Sequence, residues 1–131
     1  MVVFLIPADT ERPIVKSRIG DNVSVLCPIM RDLQELVGGY IQTVPLPEST
    51  EVVLVVDEDG KLKSTAKPNV RASRLSNSAI VGNAVLVGMV DGEFRDVPSH
   101  LRPKELVESE YTTLAELMNL IEPADTPAQR N

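Results

Sequence analysis

Apolar and polar positions alternate between two periods along this chain, and the changes of period divide it into elements. The opening "MVVFLIP" is a continuous apolar run with the length of a buried strand. "RPIVKSRI" (12–19) follows through a short Pro-containing charged loop and reads as its hairpin partner. The period then changes. In "PIMRDLQELVGG" (28–39) Ile29 or Met30, Leu33, Leu36 and Val37 recur at helical spacing, with Arg31, Asp32, Gln34 and Glu35 on the opposite side. Pro28 suits the first helical turn and Gly38 a left-handed C-cap. "YIQTVPL" (40–46) alternates again as a half-buried strand, until Pro45 and Pro47 confine it to an edge or an end.

Further on, "EVVLVVDEDGKLK" (51–63) reads as a hairpin, with Asp59-Gly60 as its turn and a short basic return arm. "IVGNAVLVGMV" (80–90) is a strand interrupted at Gly82 and Asn83, and Asp91-Gly92 turns it into "EFRDV" as a second hairpin. Thr113 and Glu116 have capping-box spacing ahead of a helical face of Leu114, Leu117, Met118 and Ile121. The Pro-rich polar end "EPADTPAQRN" predicts a flexible tail over 123–131. These elements predict a single α+β domain over residues 1–122. Its core is a mainly antiparallel sheet of about five strands with one packed helix and a C-terminal helix.

Composition narrows the picture. At 131 residues with a 43% apolar share, the chain can bury one real core, and with Phe4, Tyr40, Phe94 and Tyr111 as its only aromatics that core is aliphatic. The lone Cys27 cannot form an intramolecular disulfide, which points to a reducing, cytoplasmic setting and to a buried structural thiol. The start lacks a basic leader and meets Pro7 and Asp9 too early for a signal peptide, and no apolar run approaches the roughly 20 residues that span a bilayer. A soluble protein is expected.

The net charge of −6 argues against general nucleic-acid binding. Its distribution is more informative. Residues 61–90 contain no Asp or Glu, yet they hold Lys61, Lys63, Lys67, Arg71 and Arg74, while the remaining 8 basic and all 19 acidic residues lie outside. In "KLKSTAKPNVRASRLSNS" the five cations stand among hydroxyl and amide side chains, the mixture that recognises a phosphate, a nucleotide or an acidic protein surface. The candidate anion site is therefore Lys61, Lys63, Lys67, Asn69, Arg71 and Arg74, provided that these groups face outward together. Asn69 reads as a helix cap before it reads as a ligand contact, and for the whole stretch a solvated loop is an equal alternative. Tyr40 is a candidate for stacking on a base. Gly38 and Gly39 read first as a helix end and chain reversal.

Catalytic chemistry is scarcely represented. His100 has no motif around it, Cys27 has no evident base partner, and "DEDG" (57–60) lacks calcium-loop spacing. With no phosphate loop, dinucleotide fingerprint or zinc spacing, no cofactor or metal is implied, and binding is favoured over catalysis.

Taken in order, "LQELVGGYIQTVPLP", "VLVVDEDGKLK", "KPNVRASRL" and "AIVGNAVLVG" resemble a family of small proteins common in phages and mobile elements and known only as a domain of unknown function. The resemblance covers about residues 30–90. It rests on Leu33, Gln34, Val37, Gly38, Gly39, Ile41 and Leu46, on Asp59, Gly60 and Lys61, on Asn69 and Arg71, and on Gly82 with Gly88. It implies a compact accessory protein rather than a known reaction, and the stretch after Val90 is longer than the resemblance leads one to expect. Three functions follow as expectations. The first is a small intracellular binding or modulator protein holding an anionic partner through 61–74. The second is a nucleotide-sequestering counter-defence protein. The third is a structural homo-oligomer or accessory subunit.

Overall fold

The opening apolar run forms β1 (Val2–Ile6), buried along its whole length, and the segment after the charged loop forms β2 (Val15–Arg18) beside it. The computed structural model describes residues 1–101, in which follow α1 (Pro28–Val37), β3 (Ile41–Leu46), β4 (Ser49–Asp57), α2 (Val70–Ser76), β5 (Ala84–Val90) and β6 (Glu93–Arg95). The strands make one six-stranded antiparallel sheet in the order β2-β1-β5-β4-β3, with β6 pairing β5 beyond the end of β1. Together with the two helices this is a small α+β domain. No helix among the described residues is long and apolar enough to cross a membrane.

The period-two alternation decides what lies on each face of the sheet. Val3, Leu5, Val55, Val85 and Val87 meet Leu33, Leu36 and Val37 of α1 on one face. Phe4, Ile6, Leu54 and Leu86 pack with Ile14, Ala72, Ile80 and Val97 on the other. β1 and β5 are buried on both faces, which is why their sequences read as continuous apolar runs. β1 and β4 flank β5 and both run opposite to it. The C-terminal ends of β1 and β4 and the start of β5 therefore gather at one end of the sheet.

α1 has the predicted ends: Pro28 in its first turn, and Gly38 at φ 90, where its amide donates to Gln34 O. Asp32 does not lie on the solvent side as its spacing suggested. It is buried, and its Oδ2 accepts the Gly20 amide at 2.7 Å, fastening the loop that enters the helix. Cys27 is likewise not buried; it is exposed in a left-handed conformation (φ 53) where that loop turns into α1.

The expected 51–63 hairpin is also corrected. β4 ends at Asp57, and residues 60–62 form a 3-10 turn instead of a return strand. Both edges of β4 are already filled, by β3 and β5, and Asp59 sits at φ −104, outside the positive-φ region that a tight two-residue hairpin turn needs. At Asp91-Gly92, by contrast, both residues have positive φ (52 and 80) and β6 returns along β5 as expected. The helix expected after Thr113, the tail over 123–131 and the boundary at 122 lie outside the described residues.

Candidate functional site

At the strand end where β1, β4 and β5 meet lies a cleft of about 490 Å³. One wall is the turn after β1, Pro7 to Asp9, with Arg12 behind it. The other is the stretch from Gly60 through Lys63 to Lys67, and Asp57, Val81, Gly82 and Asn83 close the base.

The first wall is held by side chains from distant parts of the chain. Asn69, fully buried, donates from Nδ2 to Ile6 O and to Gly82 O, both at 2.9 Å, while its Oδ1 accepts the Ala72 amide at 3.0 Å and caps α2. Arg71, also buried, donates from Nη2 to Pro7 O at 2.8 Å and to Asp9 O at 3.1 Å. Asn83 completes the set by accepting the Ala8 amide at 2.9 Å. Every residue from Ile6 to Asp9 is thus gripped through its backbone.

The second wall is anchored by an ion pair. Asp57 is buried at the end of β4 and accepts from Lys63 Nζ and from the Asp59 amide; Lys63 also donates to Gly38 O at 2.8 Å, which ties this wall to the end of α1. Gly39 lies against the same carboxylate: a Cβ there would stand 2.6 Å from Asp57 Oδ1. The glycine pair therefore serves the fold at Gly38 and close approach at Gly39. Gly39→Ala is expected to lower stability by about 1 kcal/mol, because a carboxylate held by Lys63 and the Asp59 amide has little room to move. A urea melt checks this, and an unchanged midpoint would show that Asp57 swings aside freely.

The six candidate anion-binding residues are thus dispersed rather than facing outward as one group. Asn69 and Arg71 point into the protein and hold the wall. Lys63 lines the cleft but is paired with Asp57, and Lys67 lines it and is exposed. Lys61 is exposed beside a second, smaller cleft of about 320 Å³ between β3 and residues 78–81. Arg74 is exposed on α2 and lines neither cleft. Tyr40, 72% exposed, also lines neither, and no aromatic side chain lines either cleft among the described residues.

Sequence reasoning missed Arg12, Asp9 and Asn83. The only signal was polar residues placed directly at the ends of two apolar strands, which any loop would show. Arg12 lies with Nε 3.7 Å from Asp9 Oδ2, and that Nε is buried without a hydrogen bond among the described residues.

Comparison with family models matches residues 1–114 to a domain of unknown function, DUF3846. The match extends the resemblance over 30–90 in both directions and takes in residues beyond Val90. No curated protein and no solved structure matches the chain.

Proposed function

The chain belongs to the DUF3846 family; from its strand-end cleft we propose that it is a small binding protein that holds an anionic small molecule there, with Lys67, Lys63 and Arg12 as the cations on the lining. The observation that supports this reading is one concavity lined by three cations, Arg12 from the loop after β1 and Lys63 and Lys67 from the stretch after β4. At about 490 Å³ its size falls in the range usual for small-molecule sites. The gripped turn at Ile6–Asp9 supplies a preformed wall, so little ordering would accompany binding. The single cysteine and the family resemblance support an intracellular setting and a phage or mobile-element origin. The net charge of −6 disfavours nucleic acid as the partner. A nucleotide-sequestering role has less support, since a base would find no aromatic partner among the described lining residues.

The test is native mass spectrometry of the protein purified from its natural host. A retained small anion is expected, with affinity about tenfold weaker in Lys67→Ala and unchanged in Arg74→Ala, whose charge lies outside the cleft. Repeatedly clean apo spectra, or equal losses in the two variants, would sink the reading.

A second reading, a homo-oligomer or accessory subunit, is favoured by one separate observation: Val23 and Leu26 are 93% and 91% exposed in the loop before α1. Light scattering is then expected to show an assembly that Leu26→Glu dissociates. A monomer at every concentration removes this reading.

A further inference from the structure

We propose that Asp9 and Asp57 restrict the cleft to ligands carrying a single negative charge, a carboxylate or a phosphodiester, and exclude polyphosphates. The inference rests on the cleft reading above and adds the charge of what enters.

Among the described residues the lining carries three cations, Arg12, Lys63 and Lys67, and two carboxylates, Asp9 and Asp57. Each carboxylate already has a cation: Lys63 Nζ donates to Asp57, and Arg12 lies beside Asp9. One positive charge remains, on Lys67, whose side chain makes no hydrogen bond or ion pair among the described residues. A ligand with one negative charge is matched by it. A second or third charge would be held against two carboxylates in a partly desolvated concavity, where repulsion between like charges is screened less than in water. Asn83 supports a ligand with a neutral acceptor as well, because its Oδ1 is engaged by the Ala8 amide and its NH2 group is left as a donor on the lining. Asp57 is then a specificity-determining residue as well as the anchor of the second wall. Two acids on a binding surface for anions, otherwise a puzzle, become a filter.

The experiment titrates full-length protein with acetate, dimethyl phosphate and tripolyphosphate, following the backbone amide resonances of Lys67, Gly82 and Asn83. In the wild type, one or both monoanions should bind at least as tightly as tripolyphosphate, and whichever moves the resonances distinguishes carboxylate from phosphodiester. Asp9→Asn and Asp57→Asn should each shift the preference towards tripolyphosphate about tenfold. Glu51→Gln, which removes an equal charge at the opposite end of β4, should leave the ratio unchanged. Asp9 is 37% exposed in its side chain, so its variant keeps the test open should Asp57→Asn fail to fold. Wild-type protein that prefers tripolyphosphate tenfold, or an Asp9→Asn ratio identical to wild type, overturns the inference while leaving the cleft reading in place. If none of the three probes moves the cleft resonances, the cleft reading itself falls and takes this inference with it.

Discussion

Replacing Asn69 with alanine is expected to lower the unfolding free energy by about 3 to 5 kcal/mol, a large fraction of what a domain of this size possesses. The side chain is fully buried and makes three hydrogen bonds to backbone groups: it caps α2 at Ala72, and it bridges the end of β1 at Ile6 to Gly82 just before β5. Alanine removes a cap that contributes about 1 kcal/mol and leaves two carbonyls without their donor, each costing about 1 to 2 kcal/mol since the bond to Gly82 O is only part-buried. Asn69→Asp separates the two contributions, since it keeps the capping oxygen but turns the donor into an acceptor facing Ile6 O and Gly82 O. It should be at least as damaging as alanine, whereas a residue that mattered only as a cap would tolerate aspartate. Urea denaturation of both variants decides, and an Asn69→Asp protein as stable as wild type would refute the bridging role. The cleft should be lost with the fold in each, because the Ile6–Asp9 wall hangs on this residue and on Arg71.

What could be read from the sequence alone were the features whose causes are local. Pro28 and Gly38 bound α1 because a missing amide at one end and a positive φ at the other are properties of those residues themselves. The uninterrupted apolar run of β1 marked a buried strand through the character of its own residues. The two Asp-Gly pairs show where such reading stops. Asp91-Gly92 and Asp59-Gly60 are the same dipeptide, yet only the first closes a hairpin, because β5 has an open edge beside Val90 while β4 is paired on both sides. Edge availability belongs to the assembled sheet and leaves no mark on the dipeptide.

The basic stretch fails for a related reason. Whether the Arg71 guanidinium meets solvent or the carbonyls of Pro7 and Asp9 depends on chain that lies 64 and 62 residues away. Charge counted along 61–74 therefore does not foretell where each of these side chains points. Asn69 and Arg71 position a wall, Lys63 is paired with an acid, and the cation that joins Lys67 at the cleft, Arg12, comes from a loop with no distinguishing pattern.

Gly88→Ala should destabilise the protein by about 3 kcal/mol, the opposite sign to what its position in a strand suggests. Gly88 is not among the residues with positive φ, so alanine there strains no dihedral, and the stiffer unfolded chain would on its own favour the folded state by about 0.4 to 1 kcal/mol. Space decides against it. A Cβ would run into Asp96 O and stand 2.9 Å from Arg95 O, both backbone atoms, so the chain leaving β6 would have to move. That chain is fastened elsewhere: Asp96 Oδ1 accepts the Val2 amide at 2.9 Å, the Val97 amide donates to Val2 O at 3.0 Å, and Val97 is buried in the core. One methyl group therefore works against the β5–β6 pairing, the tie to the start of β1 and the packing of Val97 together, at the upper end of what overpacking costs. Gly92→Ala provides the contrast, because nothing lies within 4 Å of its Cβ position and only its φ of 80 opposes a side chain. Asparagine should relieve most of that strain at position 92 and none of the clash at 88. Hydrogen exchange gives the local readout, with the Val2 and Val97 amides losing protection in Gly88→Ala before the centre of β5 does. A Gly88→Ala protein at least as stable as wild type would mean that the chain after β6 yields freely and does not hold the N-terminal strand in place.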